Sequence, residues 1–364
     1  MKVALVYDRI NKWGGAERVL LALHKLFPDA PIFTSVYSKD RAKWAKDIKV
    51  NPSFLQKYKH FTSRNELIPF LMPIAFERFT FSDYELVISL TSEAAKGIIT
   101  DPKTKHISYI LTPTRYLWSG YNEYFKNPAL RILSTPIVSY LRKWDKVAAS
   151  RPDKLVALSK EVQDRIKKYY GIEAALIYPP VIIQPHSLGN KNKERNVKGE
   201  YFLIVSRLSK FTKYKRIDLA IRACNDLKLP LKIIGEGNWK KELQKISGPT
   251  IEFIHDVDDT KLAEYYLHCK ALIFPALEDF GLTVVEAQAF GKPVIAFRGG
   301  GALETIKEGK TGIFFNNQTV DSLKQALQLF NTMSFDESLS RENASKFSEA
   351  KFNTSFLKLV HKLF

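Results

Sequence analysis

Two carboxylates stand eight residues apart in Glu278-Asp279-Phe280-Gly281-Leu282-Thr283-Val284-Val285-Glu286, with a glycine between them. The apolar run ending at Phe274 reads as a strand, Gly281 permits close backbone approach at a helix start, and Glu286 falls just over one turn inside that helix. Across such a turn, carboxylates accept hydrogen bonds from polyol hydroxyls while helix amides face a phosphate. Two cations flank another loop: Arg207 leaves the carboxyl end of Tyr201–Val205, and Lys215 precedes a helix carrying Leu219, Ile221 and Ala223. Arg as a planar fork and Lys as a point charge can converge on a diphosphate. Lys210, Lys213 and Arg216 crowd the same loop, which also fits a plain solvated basic turn. A glycine pair, Gly14-Gly15, joins the first strand to a helix faced by Val19, Leu20, Leu23 and Leu26. It either brings backbone N–H groups up to an anion or a sugar, or serves only a tight turn.

Metal chemistry finds less support. Asp256-Val257-Asp258 has the D-x-D spacing, but Asp258 or Asp259 precedes Thr260-Lys261-Leu262-Ala263-Glu264, a helix start where an acidic cap is favoured. His255 lies by strand order near the expected site, and the seven histidines show no i, i+4 pairing with a carboxylate. Cys224 and Cys269 fall in no Cys/His cluster, so neither a zinc site nor a disulfide framework is expected.

These residues must be held by alternating elements. Short apolar runs at Val3–Tyr7, Leu86–Leu90, His106–Ile110 and Leu155–Leu158 read as buried parallel strands, with helical stretches between them. A second series follows at Tyr201–Val205, Leu231–Gly235, Ile251–Ile254, Ala271–Phe274, Pro293–Phe297 and Gly312–Phe315. Strands alternating with helices predict two α/β, Rossmann-like, doubly wound domains facing a cleft, with ligands at the carboxyl ends of the strands. Between them the polar stretch at 186–200 reads as an exposed linker. The expected plan is a first domain over 1–185, a second over 201–345, and a C-terminal helix over 346–364 returning to the first.

The 364 residues carry 56 Lys and Arg against 38 Asp and Glu, a formal charge of +18. Residues 1–185 hold +12 of it. With 45% hydrophobic residues the chain is globular rather than disordered. The longest apolar run, Leu67–Phe76, contains two prolines and is far short of the roughly 20 residues a spanning helix needs. The aromatic and basic segment Tyr58–Phe81 around it fits either a proline-interrupted core helix pair or contact with lipid. The short apolar start ends at Asp8, too soon for a signal peptide, and a cytoplasmic home is expected.

Glu278-x-Phe280-Gly281-x4-Glu286, followed by Gly291-x-Pro293-Val294-Ile295-Ala296, resembles the E-x7-E signature of retaining glycosyltransferases of family four, which have the GT-B fold. Arg207-Leu208 with Lys215-Arg216-x-Asp218, Gly235-Glu236-Gly237, and Gly14-Gly15-Ala16-Glu17-Arg18 resemble further motifs of that family, so the likeness touches both halves. The resemblance implies that Glu286 holds the ribose hydroxyls and Glu278 the transferred sugar. It likewise gives Arg207 and Lys215 to the leaving diphosphate, and the amides of Phe280, Gly281, Leu282 and Thr283 to the diphosphate or sugar. It sets Gly235 at the nucleotide turn, Gly14 and Gly15 at the N-terminal glycine loop, and the segment from Ile254 to Val257 beside the base. The stretch Thr112-Pro113-Thr114-Arg115-Tyr116-Leu117-Trp118 and the Gly14–Arg18 start are similar to mannosyltransferases of bacterial polysaccharide assembly, which makes GDP-mannose the first donor expected, ahead of other nucleotide sugars. One departure stands out: Leu111 occupies the place of a sugar-contacting histidine in relatives, so His106 or Thr112 is expected to substitute, or the sugar is held differently. The implied enzyme needs no cofactor and no metal, and its partners are a nucleotide sugar, a glycan or lipid-linked glycan acceptor, and an anionic inner-membrane face met by the basic first domain. The alternatives are a basic nucleic-acid binder, for which no recognition motif is present, and a GT-B sugar-nucleotide epimerase.

Overall fold

The computed structural model describes residues 1–58, 69–181 and 199–364. They form two compact units, Met1–Pro180 with Phe352–Phe364, and Val181–Lys351. Apart from 199 and 200, the connection at 186–200 lies outside the described residues.

The first unit is built on seven parallel strands: β1 (Val3–Tyr7), β2 (Ile32–Thr34), β3 (Val50–Pro52), β4 (Leu86–Thr91), β5 (Lys105–Ile110), β6 (Lys154–Ala157) and β7 (Ala175–Leu176). Their order, β3-β2-β1-β4-β5-β6-β7, reverses between β1 and β4. All of β1 and β4 is buried, as apolar runs in a sheet covered on both faces must be. Helix α1 (Gly15–Leu26) buries Val19, Leu20, Ala22 and Leu23. Helix α2 (Pro128–Ala149) starts at an Asn127 cap, and α3 (Lys160–Tyr170) at a Ser159 cap with Gly171 left-handed at its end.

Of the segment Tyr58–Phe81, residues 59–68 lie outside the described residues. From Pro69 the chain makes a tight turn and the short helix Met72–Glu77, which buries Met72, Ala75 and Phe76 among Phe81, Val87 and Ile98. That part is core, although Phe70 and Ile74 face outward.

The second unit has six parallel strands: β8 (Tyr201–Val205), β9 (Leu231–Ile234), β10 (Ile251–Ile254), β11 (Cys269–Phe274), β12 (Val294–Phe297) and β13 (Gly312–Phe315). The order β10-β9-β8-β11-β12-β13 reverses between β8 and β11. Helices α4 (Ile217–Asp226) and, later in the chain, Val320–Asn331 cover one face through Leu219, Ile221, Leu323 and Leu327. Helices α5 (Asp259–His268) and α6 (Leu282–Ala289) cover the other through Leu262, Tyr266, Val284 and Ala287. The order reversal leaves the loops after β8 and β11 diverging to opposite faces, which opens a crevice at their carboxyl ends.

The C-terminal helix α7 (Glu349–His361) buries Phe352, Phe356 and Val360, and Phe352 packs edge-on against Tyr109 at 6.1 Å in the first unit.

Candidate functional site

At the carboxyl end of β8 the chain continues as Ser206, exposed Arg207 and buried Leu208. The turn after β9 grips this segment from behind: the Leu208 N–H donates to the Glu236 carbonyl at 2.7 Å. Gly235 and Gly237 both adopt φ +148°. A β-carbon at Gly235 would stand 1.8 Å from the Ser206 carbonyl oxygen, and one at Gly237 2.1 Å from that of Leu208. No other residue type fits there, and the outcome is a fixed exit for Arg207.

Lys215 closes the 3-10 turn Lys210–Lys215, and Arg216, left-handed at φ 50°, starts α4. The Lys215 ammonium forms an ion pair with Glu278, both side chains being mostly buried. Arg216 is held beside it, donating to the Gln318 carbonyl at 3.2 Å, while the Gln318 amide donates to the Pro275 carbonyl at 2.8 Å. The loops after β8 and β11 are thereby tied to one another and to the segment after β13.

After β11, Gly281 takes φ +86° as the cap of α6, and a β-carbon there would lie 2.9 Å from the Phe274 ring. The chain thus turns sharply from strand into helix, leaving Leu282 and Thr283 half-exposed in the first turn, where helix N–H groups lack intrahelical acceptors. The Phe280 side chain is buried, edge-on to Phe347 at 5.4 Å, so its share in binding is confined to the backbone. Glu286 is only 4% exposed and accepts a 2.7 Å hydrogen bond from the hydroxyl of fully buried Tyr266. Tyr266 in turn is stacked on Phe290 at 5.6 Å. A buried carboxylate oriented by a buried hydroxyl is set to accept further hydroxyl donors.

A fourth loop completes the edge. After β12, Gly299-Gly300-Gly301 runs against the backbone of residues 278–280: the Gly301 N–H donates to the Glu278 carbonyl at 2.9 Å. A β-carbon at Gly300 would lie 2.2 Å from that same oxygen, and one at Gly301 2.2 Å from Phe280 Cα. Neither this glycine run nor Tyr266 was marked by the sequence reading. The run of three glycines was the available signal for the first; Tyr266 sits in an ordinary helical pattern and offered none.

Nine of the eleven residues expected at the site, Arg207, Lys215, Gly235, Glu278, Phe280, Gly281, Leu282, Thr283 and Glu286, therefore lie on the carboxyl edge of the second sheet or on the elements that shape it. Gly14 and Gly15 belong to the first unit. Gly14 is extended at φ 177° and precedes α1, whose Glu17 is buried and accepts from the Tyr7 hydroxyl at 2.5 Å.

The expectation that His106 stands in for a sugar-contacting histidine is corrected. His106 is fully buried in β5, with Nε2 2.9 Å from the Ser89 hydroxyl, and burial pushes its imidazole down to about 3. It is a core histidine that stays neutral. Leu111 lies half-exposed just beyond β5, and Thr112 beside it is buried, 3.5 Å from an Arg165 nitrogen.

Asp258 caps α5, accepting the Lys261 N–H at 2.8 Å, while Asp256 is exposed against His255 Nδ1 at 2.9 Å. Among the described residues no group of three or more His, Cys, Asp or Glu side chains is placed to hold a metal.

In the first unit the order reversal at β1 and β4 gathers a second set of polar groups. Asp8 accepts from Thr91 Oγ1 and from the backbone N–H groups of Ser92, Ala94 and Ala95, all at 2.7 to 2.9 Å. Arg9 pairs with Glu93, whose carboxyl is raised above its ordinary value by burial, with Arg9 opposing. The segment from Thr112 to Trp118 is anchored on buried carboxylates: Thr114 and Trp118 donate to Asp145 at 3.0 and 2.7 Å, and Tyr116 to Glu93 at 3.0 Å. Asp145 itself is paired with buried Lys96 at 2.5 Å.

Residues 189–351 match the family described as glycosyl transferases group 1. The chain is 28% identical over 214 residues to an uncharacterized glycosyltransferase of Methanocaldococcus jannaschii, covering 57% of this chain and 58% of that protein. It is 26% identical over 198 residues to the GDP-mannose-dependent alpha-(1-6)-phosphatidylinositol monomannoside mannosyltransferase of Mycolicibacterium smegmatis, covering 48% and 52%. The matches thus span a little over half the length of these curated relatives. The solved structure of Anabaena HepE in complex with UDP is similar over 100% of both chains, with a TM-score of 0.72 and 18% identity. With two parallel α/β sheets, this likeness shows the two-domain, Rossmann-like GT-B fold, and over most of the second unit the chain is similar to glycosyl transferases group 1.

Proposed function

We propose that this GT-B chain is a retaining hexosyltransferase, moving a sugar from a nucleotide diphosphate donor to a glycan or lipid-linked glycan acceptor in cell-surface polysaccharide assembly. The observation that carries the reading is the carboxyl edge of the second sheet, where Arg207, the Lys215–Glu278 ion pair and buried Glu286 surround the helix start at Gly281. Buried Glu286, held by Tyr266, accepts the two ribose hydroxyls of the nucleotide. Arg207, Lys215 and the first amides of α6 meet the diphosphate, and Glu278 a hydroxyl of the sugar.

The chemistry follows from charge. As the glycosidic bond to the diphosphate lengthens, negative charge grows on the leaving oxygens, and preorganised cations stabilise that growth more than they stabilise the ground state. Glu278 is committed to Lys215, so it acts as a sugar-binding and positioning group rather than as a nucleophile. The acceptor oxygen then bonds to the anomeric carbon on the face the diphosphate leaves, through an oxocarbenium-like transition state, as the bond to the diphosphate breaks and the hydroxyl proton passes to the departing diphosphate oxygen. Two side-chain cations and helix amides take the place that a divalent ion would fill.

Mannose from GDP-mannose is the first donor proposed, supported by the mycobacterial relative, whose name states that dependence. The Anabaena structure holds UDP, so the test must offer both bases. Saturation-transfer NMR or calorimetry against GDP- and UDP-sugars names the donor without the acceptor. Binding of none of them with the protein folded overturns the reading.

A further inference from the structure

Helix α2 is apolar on two opposite sides. On its inner side Val138 and Leu141 are buried against the segment Tyr116–Trp118, Asp145 accepts from Trp118, and Ala148 and Ala149 are buried further along. At 100° per residue, Ile132, Leu133, Pro136, Ile137 and Tyr140 fall on the far side. They are exposed there: Ile132 by 76%, Leu133 by 77%, Tyr140 by 53% and Ile137 by 47%. Phe70, 43% exposed, adjoins them, forming an open hollow with Pro136, Ile137 and Tyr140. A surface helix ordinarily turns its polar side outward, and a contiguous aliphatic and aromatic patch marks an interaction surface.

The charges around the stripe select its partner. Lys126 before the helix and Lys143 and Lys146 within it are exposed, whereas the one acidic residue of the helix, Asp145, is fully buried against Lys96. Arg131 and Arg142 are half-exposed on the same helix, and against these cations stands, among the described residues, one exposed acid nearby, Glu123 before the helix. An apolar stripe with this cationic excess complements a surface that is apolar inside and anionic at its boundary, which describes an acidic lipid headgroup layer over acyl chains. A second copy of the chain suits it less, since it would bring the same lysines face to face on a molecule of formal charge +18. Spanning is not at issue, because among the described residues no helix is long and apolar enough to cross a membrane.

We propose that the outward stripe of α2, with Phe70, is a membrane-docking face that lies in the headgroup layer of an anionic bilayer, its apolar side chains inserted and its lysines at the phosphates. This assignment rests on no catalytic residue and stands or falls apart from the transferase reading. It adds to the net positive charge of the first half a specific anchoring element with an apolar component, so attachment is weakened by salt without being abolished.

The test uses the full-length chain and vesicles of phosphatidylcholine alone, or of equal parts phosphatidylcholine and phosphatidylglycerol. Wild type is expected to float with the anionic vesicles at low salt and to retain part of that binding at high salt. Replacing the stripe (Ile132→Ser, Leu133→Ser, Ile137→Ser) should lower partitioning about tenfold or more and remove the salt-resistant part. Replacing the lysines (Lys126→Gln, Lys143→Gln, Lys146→Gln) should weaken binding to anionic vesicles at low salt and leave the salt-resistant part in place. Unchanged circular dichroism and melting show that the variants fold; if the triple serine variant does not, Leu133→Ser alone serves. Failure of wild type to bind anionic vesicles at low salt overturns the proposal, as does wild-type partitioning of the serine variant. So does light scattering that shows a wild-type dimer made monomeric by the serine substitutions while vesicle binding is unaltered.

Discussion

Replacing Glu286 by Gln keeps the size of the side chain and its bond with Tyr266 while removing its charge. The carboxylate is 4% exposed and lies 2.7 Å from the Tyr266 hydroxyl, so the amide has little room to turn and can still accept from that phenol. What changes is the quality of the site for ribose. A hydrogen bond to a charged acceptor contributes about 1.5 to 3 kcal/mol, against about 0.5 to 1.5 kcal/mol for a neutral one. Over two hydroxyls the expected loss is about 2 kcal/mol, roughly a thirtyfold rise in Kd. The assay is calorimetry with the nucleoside diphosphate and with its 2′,3′-dideoxy analogue. Wild type should prefer the natural nucleotide strongly; in Glu286→Gln that preference should shrink by the same factor of roughly thirty, about 2 kcal/mol, leaving the weaker discrimination of a neutral acceptor. Tyr266→Phe is the control, for it strands a buried carboxylate and should lower stability by about 1 to 3 kcal/mol while most of the preference for ribose hydroxyls survives. A Glu286→Gln protein that melts like wild type and keeps full affinity and full discrimination would refute the ribose assignment.

Lys215→Ala and Arg207→Ala should each cut turnover roughly 100-fold or more at saturating donor with the fold intact, because each cation is proposed to meet charge that grows in the transition state; near-normal turnover of either would remove it from the site. Gly300→Ala places a β-carbon 2.2 Å from the Glu278 carbonyl oxygen at a φ of +58°, so a loss of about 1 to 3 kcal/mol in stability is expected, together with weakened donor binding as the loop carrying Glu278 shifts. Its melting curve and nucleotide affinity check both. His106 is buried neutral, with its imidazole pushed down to about 3, while the unfolded chain protonates near 6.5. Its contribution is therefore intact above 6.5 and is lost as pH falls from there towards 3, by about 1.4 kcal/mol per pH unit. Urea midpoints of wild type and His106→Gln across that window should diverge by this slope, and parallel curves would contradict the buried-neutral state. Full activity in excess chelator is expected of a site that neutralises the diphosphate with side chains and amides, and strict dependence on a divalent ion would bring Asp256 and Asp258 back as ligands.

The strands read most directly from sequence were those buried on both faces. Val3–Tyr7 and Tyr201–Val205 appear with the ends expected, because a continuous apolar run bounded by polar residues has no other good use in a parallel sheet; the edge strands Ile251–Ile254 and Gly312–Phe315 are less buried, and their β-branched and aromatic residues between breakers were the signal. Strands β2, β3 and β7 were passed over. They hold three, three and two residues and lie toward the edges of the first sheet, too short to carry a signal, and β3 with Asn51 and Pro52 is not apolar either. Partners further along the chain supply their pairing, as Ile32 beside Leu5 and Val50 beside Ile32 show. Only the fold brings those partners alongside.

The site was legible wherever a backbone requirement and a charge coincide in one short stretch. Glu278, Gly281 and Glu286 fall within nine residues, so one turn and one helix fix their relation, and the structure keeps it. What decides how those carboxylates act lies outside any such window. Glu278 is committed to Lys215, 63 residues away, and Glu286 to Tyr266, 20 residues earlier on another helix. The glycine run at 299–301 fixes the carbonyl of residue 278 from a third loop. The segment from Thr112 to Trp118 makes the complementary case, since its polar residues, conspicuous in sequence, turn inward to Asp145 and Glu93. Polar side chains set close together in the chain therefore serve either a ligand or a buried carboxylate. The choice rests on whether an opposing group lies beneath them, and in this first unit Lys96, Asp145 and Glu93 are that group.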